Sequence, residues 1–173
     1  MRIAFDDIPV TGLEVSSSDA SWLPAGEFSR QGEVACAARL ERDGDRVMVE
    51  DSLRLTVLLA CDRCLEEYAY PIDTVFAVDL EWVPYGEDRF APEHACGDSE
   101  MEVVLLDEPA VDLDSLWEQQ FYLSLPEKRL CGESCAGLCP VCGGNRNREQ
   151  CACASEDAAS SPFAVLAKLK RRK

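Results

Sequence analysis

The sequence predicts an α+β protein: an antiparallel β meander with one packed helix, a cysteine-rich zinc-binding segment and a short C-terminal helix. Three features of the chain lead to this fold class. Polar and apolar residues alternate over three long stretches between residues 33 and 82, as in half-buried strands. A single apolar stripe with the helical period follows at residues 112–125. Eight of the ten cysteines fall into four closely spaced pairs.

Length and composition allow one domain with a sizeable core or two small ones. The chain has 173 residues, of which 47% are apolar, so we expect a globular protein. Residues 1–130 are predicted to form a mainly antiparallel β domain with a CxxC knuckle and a helix over 112–125. Residues 131–153 form a zinc-binding cysteine cluster packed on that domain, and residues 154–173 form a linker and a basic C-terminal helix.

Residues 1–30 are predicted to contain a short opening strand and then a polar turn region. Trp22 and Leu23, which follow this turn, are expected to fold back onto the core. Three long strands follow, and the DGD turn at residues 43–45 joins the first two in a hairpin. Each strand places its apolar residues on one face. These are Val34, Cys36, Ala38 and Leu40; then Val47, Val49, Leu53, Leu55, Val57 and Leu59; then Tyr68, Tyr70, Ile72, Phe76, Val78, Leu80 and Trp82.

The rest of the β domain is predicted from local signals. Pro71 cannot donate a ladder hydrogen bond, so its end of the third strand lies at an edge or a break. Residues 100–107 form a further strand. Asp112 is a suitable N-cap for the helix, and Pro126 ends it. The apolar stripe of this helix consists of Leu113, Leu116, Trp117, Gln120, Phe121 and Ser124.

The paired cysteines indicate two structural zinc sites, because such a site takes four ligands and eight thiols make two complete sets. The pairs are Cys61/Cys64, Cys131/Cys135, Cys139/Cys142 and Cys151/Cys153. The pairs in CPVC and CAC lie eight residues apart and can close one site locally. That leaves Cys131 and Cys135 to join the distant pair in CDRC. If all four cysteines of residues 131–142 closed one site instead, the cysteines of CAC would be left unused and those of CDRC would have no partners.

The paired cysteines and the remaining thiol and imidazole groups also have simpler interpretations. The pairs could form disulfides, remain buried thiols or hold an iron–sulfur cluster, although a CxC pair suits zinc better than usual ferredoxin spacings. Cys36 is most simply a core residue on an apolar face. His94, the single histidine, and Cys96 lie in an acidic loop, where we expect a solvated side chain and a bystander thiol.

The charge of the chain is strongly acidic, with a formal net charge of −16 from 33 acidic and 17 basic residues. Such a surface repels the phosphate backbone of nucleic acid over most of its area and favours a basic protein partner. The basic residues at the end of the chain either complement a helix C-terminus or contact RNA or an acidic surface. They are Lys168, Lys170, Arg171, Arg172 and Lys173.

The sequence favours a protein without catalytic residues or a small-molecule substrate. It contains none of the GxxxxGK[ST], GxGxxG or HExxH motifs, and CxxC redox catalysis normally needs a βαβ context. Zinc closed by four thiolates leaves no position for water. The first residues contain no apolar run of signal length, and no stretch reaches the roughly 18 apolar residues of a membrane span. We therefore expect a cytoplasmic protein with reduced thiols.

Several motifs in fixed order resemble the YceD family, whose members are described as large ribosomal RNA subunit accumulation proteins. They are MRIAFDDIP at the start, CDRCLEEY in mid-chain, DLDSLWEQQFYLSLPEK with the cysteine cluster that follows, and SPFAVLAKLK. The resemblance covers most of the chain from about residue 55 and the first dozen residues. Family members commonly have CGxNLN where this chain has CGGNRN, so Arg146 replaces an apolar residue. If that residue packs the knuckle onto the body, the second site is looser here.

The resemblance implies a bacterial cytoplasmic protein that supports accumulation of large-subunit ribosomal RNA, with no catalytic residues to transfer. Some similar proteins lack the CPxCG segment but keep the mid-chain CxxC and a downstream His/Cys or Cys/Cys pair, which supports the grouping of Cys61 and Cys64 with Cys131 and Cys135. The leading hypothesis is a zinc-stabilised ribosome-biogenesis factor that binds an assembly intermediate, a ribosomal protein or ribosomal RNA. The alternatives are a zinc-ribbon adaptor in transcription or regulation, and a thiol protein in which oxidation ejects zinc.

Overall fold

The computed structural model describes residues 1–84 and 103–153. The chain divides into two units. The sheet unit comprises Met1–Ala60 and Glu67–Arg129, and the cysteine unit comprises Cys61–Glu66 and Leu130–Lys173. The loop with His94 and Cys96, the linker and the basic helix predicted for residues 154–173 lie outside the described residues.

The described part of the sheet unit contains seven strands and one α-helix. In chain order these are β1 (Arg2–Ala4), β2 (Leu13–Ser17), β3 (Ser29–Asp43), β4 (Arg46–Ala60), β5 (Glu67–Trp82), β6 (Val103–Leu106), β7 (Ala110–Asp112) and α1 (Leu113–Ser124). A single 3-10 turn, Phe5–Asp7, follows β1.

The main sheet has the strand order β2-β3-β4-β5-β6. Its first four strands are antiparallel, and β3 and β4 form a hairpin in which Asp43 lies opposite Arg46. Gly44 supplies the positive φ of 63° that the tight turn requires. The three-stranded meander and the α+β class are therefore confirmed, with the CDRC motif in the connection between β4 and β5.

Three features of the sheet unit were not predicted. Strand β2 extends the meander at one edge, and β6 pairs with β5 in parallel at the other. Strands β1 and β7 form a separate two-stranded sheet, in which Ile3 lies opposite Val111. The opening strand and the strand predicted at residues 100–107 are confirmed as β1 and β6, although their pairing was not predicted. Strands β2 and β7 are five and three residues long, so their apolar alternation is too brief to be distinguished in the sequence.

The core lies on one face of the main sheet and beneath α1. The predicted apolar sets of β3 and β4 are all buried, and Trp117 and Phe121 of the helix are at most 1% exposed. Trp22 returns to this core as predicted, with its ring 6.3 Å from that of Trp117. Cys36 is a buried core residue, also as predicted.

One charged residue lies in this apolar face. Asp51 continues the inward-facing series of β4 between Val49 and Leu53, and it is 2% exposed. Its Oδ2 accepts a hydrogen bond of 2.7 Å from Nε1 of Trp117, while Oδ1 has no hydrogen-bond partner among the described residues. Burial raises the pKa of Asp51 to about 6, because a charged carboxylate is poorly solvated there.

The predicted ends of the helix agree with the structure to within one residue. Asp112 is the N-cap, and its side chain accepts a hydrogen bond from the N–H of Asp114. The helix ends at Ser124, two residues before Pro126. Strand β5 is continuous through Pro71, and β6 pairs with Asp79–Trp82 alone. Within the described residues, Pro71 therefore lies on an edge segment. No helix in the described ranges is long and apolar enough to cross a membrane.

Candidate metal centres

The first centre joins two segments of the cysteine unit that are far apart in sequence. Cys61 and Cys64 come from the connection between β4 and β5, and Cys131 and Cys135 follow the helix. All four sulfurs lie within 4.8 Å of one another. The Sγ atoms of Cys61 and Cys135 are 3.8 Å apart, and those of Cys64 and Cys131 are 3.7 Å apart.

The second centre is local. Cys139, Cys142, Cys151 and Cys153 also place their sulfurs within 4.8 Å of one another. The structure thus brings the eight cysteines singled out in the sequence together as two groups of four. Each group could hold a metal ion, so two ions per chain are consistent with the structure.

The backbone of the first knuckle follows a pattern of two hydrogen bonds. The N–H of Leu65 donates to the carbonyl of Cys61 at 2.8 Å, and the N–H of Cys61 donates to the carbonyl of Glu66 at 2.9 Å. This turn requires a left-handed conformation at the residue after Cys64. Leu65 adopts it with a φ of 60°, which is unusual for a residue with a branched side chain.

The second knuckle repeats the same pattern. The N–H of Gly143 donates to the carbonyl of Cys139 at 2.9 Å, and the N–H of Cys139 donates to the carbonyl of Gly144 at 2.8 Å. Gly143 occupies the left-handed position with a φ of 71°, at no steric penalty. CDRCLE and CPVCGG are therefore two copies of one backbone turn, each presenting two sulfurs on the same side.

Backbone N–H groups stabilise one sulfur of each knuckle as a thiolate. A hydrogen bond from the N–H of Cys131, with weaker ones from within the knuckle, lowers the pKa of Cys61 to about 6. The N–H groups of Cys142 and Val141 lower the pKa of Cys139 to about 6. Both sulfurs are thus prepared to act as anionic ligands near neutral pH.

Each group also contains a thiol that keeps its proton. A hydrogen bond to Cys135 raises the pKa of Cys131 to about 12, and one to Cys142 raises the pKa of Cys153 to about 12. A divalent ion would take the place of these protons, so metal binding would release them.

The sulfur separations fit a single four-coordinate ion. Metal–sulfur bonds of about 2.3 Å in a tetrahedron imply sulfurs about 3.8 Å apart, close to the two distances in the first group. A disulfide would bring two sulfurs to about 2.05 Å, and none of the described cysteines is so bonded. A four-iron cluster would place each thiolate on a different iron atom and spread the sulfurs further.

Polar residues around the first centre were missed by the sequence reasoning. Asn147 donates from Nδ2 to Sγ of Cys135 at 3.3 Å, and this hydrogen bond lowers the pKa of Cys135. Arg63 donates from Nη1 to the carbonyl of Cys135 at 3.0 Å. The family pattern CGxNLN contains both asparagines of CGGNRN, and this was the signal that could have identified Asn147.

The two centres differ in exposure. Three sulfur-bearing residues of the first are buried and Cys131 is exposed, whereas in the second Cys139 is buried and Cys142 is exposed. Arg146, which replaces the apolar residue of the family pattern, has an exposed side chain. Its backbone N–H donates to the carbonyl of Gly137 at 2.9 Å, so this position contributes to the cysteine unit through its main chain.

Comparison with known proteins links this chain to one family. The model of the family described as "Large ribosomal RNA subunit accumulation protein YceD" matches residues 49–170, a range that includes all eight cysteines of the two centres. Searches of curated proteins and of solved structures found no match.

Proposed function

The chain belongs to the YceD family, and from this we propose that it is a non-enzymatic, zinc-binding ribosome-biogenesis factor. The description of the family implies a role in the accumulation of large-subunit ribosomal RNA. The family match over residues 49–170 is the observation that carries the proposal. In this role the protein binds an assembly intermediate of the large subunit, a ribosomal protein or the ribosomal RNA itself.

Zinc is the metal we propose for both centres. Four thiolates sharing one ion, with sulfurs 3.7 and 3.8 Å apart in the first group, suit tetrahedral zinc. We propose Cys61, Cys64, Cys131 and Cys135 as ligands of one ion, and the four cysteines of 139–153 as ligands of the other. Because four protein ligands leave no coordination position for water, we propose that both ions act structurally and take no part in catalysis.

The charge of the chain supports a basic partner in the cytoplasm. At a net charge of −16, most of the surface attracts cationic proteins, and unassembled ribosomal proteins are of this kind. The basic residues 168–173 provide a separate contact for RNA or for an acidic surface, and they lie outside the described residues. Reduced thiols in the cytoplasm keep the ligands available to zinc.

Affinity capture from native cytoplasm, with and without ribonuclease, tests the proposed role. We expect large-subunit precursor RNA and ribosomal proteins, lost after nuclease treatment if the protein sits on an assembling particle. One basic protein that survives nuclease would identify a direct protein partner. A variant with alanine at Lys168, Lys170, Arg171, Arg172 and Lys173 separates RNA contact by the tail from binding by the body. Capture of small-subunit components alone would contradict the proposal.

A zinc-ribbon adaptor in transcription or regulation is the second candidate. It is favoured by two exposed apolar side chains beside the knuckle cysteines, Leu65 at 67% and Val141 at 55%. Such residues are available to contact a protein. Recovery of RNA polymerase in place of ribosomal components, abolished by Leu65→Ser and Val141→Ser, would favour this candidate over the first.

A further inference from the structure

The segment Asn145–Arg148 lies between the two halves of the second centre in sequence but contacts the first. It occupies the loop that runs from Cys142 to Cys151. Asn147 holds the arm of the first centre that contains Cys135: its Nδ2 donates to Sγ of Cys135 at 3.3 Å, and its Oδ1 accepts from the N–H of Ala136 at 2.7 Å. One side chain therefore fixes both a ligand and the backbone beside it.

The same segment holds the other arm of the first centre through Glu66, which follows the CDRC knuckle. Nη2 of Arg148 donates to Oε2 of Glu66 at 2.6 Å, and Nδ2 of Asn145 donates to Oε1 at 3.3 Å. The backbone carbonyl of Glu66 in turn accepts the N–H of Cys61 at 2.9 Å. The segment thus contacts both chain segments that supply the first set of sulfurs.

Internal hydrogen bonds give the segment a fixed shape. Oδ1 of Asn145 accepts from the backbone N–H of Asn147 and from its Nδ2, each at 2.9 Å. The backbone carbonyl of Asn145 accepts from the N–H groups of Arg148 and Glu149 at 3.0 and 2.9 Å. Asn145 therefore sets the direction in which Asn147 and Arg148 point.

We propose that Asn145–Arg148 couples the two metal centres, so that an ion in the second centre strengthens ion binding at the first. This inference rests on the proposed binding of metal by both groups. The loop is tied at Cys142 and at Cys151 when both sulfurs share one ion. Without that ion the loop keeps its backbone hydrogen bonds near Gly143 and Arg146 but loses the tie between Cys142 and Cys151, so ordering Asn147 and Arg148 against the first centre costs more conformational entropy. By linkage, the first ion strengthens binding of the second by the same factor.

Asn147 is the positioning residue on which this coupling depends most. A divalent ion with four thiolates carries a net negative charge, which an amide N–H directed at a sulfur stabilises. Asn147→Asp keeps the size of the side chain and the acceptor for Ala136, but replaces the donor with a negative oxygen beside Cys135. We expect this variant to bind metal at the first centre about 10–100-fold more weakly, as for the loss of other outer-shell partners.

The decisive experiment empties the second centre and measures the first. The full chain with Cys142→Ser and Cys151→Ser is titrated with zinc against a competing chelator, in parallel with the wild-type chain and with Gln150→Ala, an exposed position of the same loop. We expect the first centre of the double variant to bind zinc about 10-fold or more weakly than the first centre of the wild-type chain, although its four ligands are unchanged. Gln150→Ala should match the wild type.

A second readout follows the two centres separately. Cadmium-113 NMR gives each occupied four-thiolate group its own resonance. With less than one equivalent of cadmium, coupling makes both wild-type resonances grow together, whereas in Asn147→Asp they should appear one after the other. Equal zinc affinity of the first centre with the second filled or emptied would overturn the coupling. A wild-type chain that binds neither zinc nor cadmium would instead overturn the proposed metal binding on which it rests.

Discussion

The sheet unit and the cysteine unit bury different kinds of side chain. In the sheet unit a continuous cluster of aliphatic and aromatic residues surrounds Trp117 and Phe121. In the described part of the cysteine unit, the buried apolar side chains are those of Cys61, Cys64, Cys135 and Cys139. Hydrophobic burial can therefore stabilise the first unit, while the second depends on what binds its sulfurs. One chain thus contains two regions whose stabilities respond to different conditions.

Removal of metal should produce the largest difference in stability between the two units. If zinc occupies both centres, a strong chelator removes on the order of 10 kcal/mol of stabilisation per site, because binding energy is folding energy in such units. We expect amide protons of the second knuckle, Cys139–Gly144, to lose protection in hydrogen exchange, while those of β4 keep it. Equal protection of both regions after complete metal removal would contradict this difference.

Loss of a core side chain should destabilise the sheet unit and leave the cysteine unit unchanged. Phe121→Ala removes a ring that is fully buried beside Trp22 and Phe28, so we expect the sheet unit to lose about 3–5 kcal/mol of unfolding free energy. Urea unfolding followed by tryptophan fluorescence measures this loss, and metal content should stay at the wild-type value. Leu123→Ala, at a 77% exposed position in the same helix, should cost less than about 1 kcal/mol.

The two units should also respond to pH with opposite sign. The pKa of Asp51 is raised to about 6 in the folded state, against about 3.9 in the unfolded chain. The folded state therefore binds more protons between pH 4 and 6, and stability falls as pH rises through that window. From pH 7.5 to 5 the sheet unit should gain about 1 kcal/mol from this group. In Asp51→Asn this gain in stability should be absent. If the gain persists in the variant, it comes from other titratable groups.

For the cysteine unit the sign is reversed. The pKa of Cys61 and that of Cys139 are lowered to about 6 from an ordinary value of 9.0. The stabilisation from these thiolates is complete above pH 9 and is lost as pH falls towards 6, and proton competition for metal acts in the same direction. Measuring metal release and sheet unfolding in one acid titration should show the centres emptying while the sheet unit becomes more stable towards urea.

The smallest expected effect concerns the left-handed residue of each knuckle. Leu65→Gly relieves the φ of 60° and should tighten metal binding at the first centre by less than about 1 kcal/mol, because glycine also gains freedom in the unfolded chain. Gly143→Ala introduces the same backbone strain at the second centre and should weaken metal binding there by about 1 kcal/mol. A Cβ at Gly143 meets no atom of the described residues within 4 Å, so we expect the effect to come from the backbone alone. Affinity titrations of both variants measure the difference.

Elements governed by neighbouring residues could be predicted from the sequence. Apolar alternation identified β3, β4 and β5, and Asp112 with Pro126 bounded the helix, because these signals act over a few residues. Asp51 was missed since a charge within an apolar series looks like a break in the pattern, and only the position of Trp117 shows what it binds. The metal centres were predicted as sets of cysteines because the spacing of thiols constrains which sulfurs can meet.

Contacts that support the centres could not be predicted in the same way. Glu66 and Asn145 are separated by 79 residues, and nothing in either local sequence indicates that they meet. Their hydrogen bond follows from the return of the chain to the CDRC knuckle, which is a property of the fold. The pairing of β1 with β7 has the same origin, since it joins residues about a hundred positions apart.

The separation of the two halves of the first centre also has a consequence for the timing of its assembly. Cys131 follows Cys64 by 67 residues. At about 5–20 residues per second, a ribosome needs roughly 3–13 seconds to add them. Throughout that interval the other two ligands of the first centre have not yet been synthesised. The thiols of the CDRC pair can therefore react with an oxidant or bind a competing ion. Among the ligand cysteines of the two centres, Cys61 and Cys64 thus wait longest for their partners, and brief stress during synthesis should mark them first.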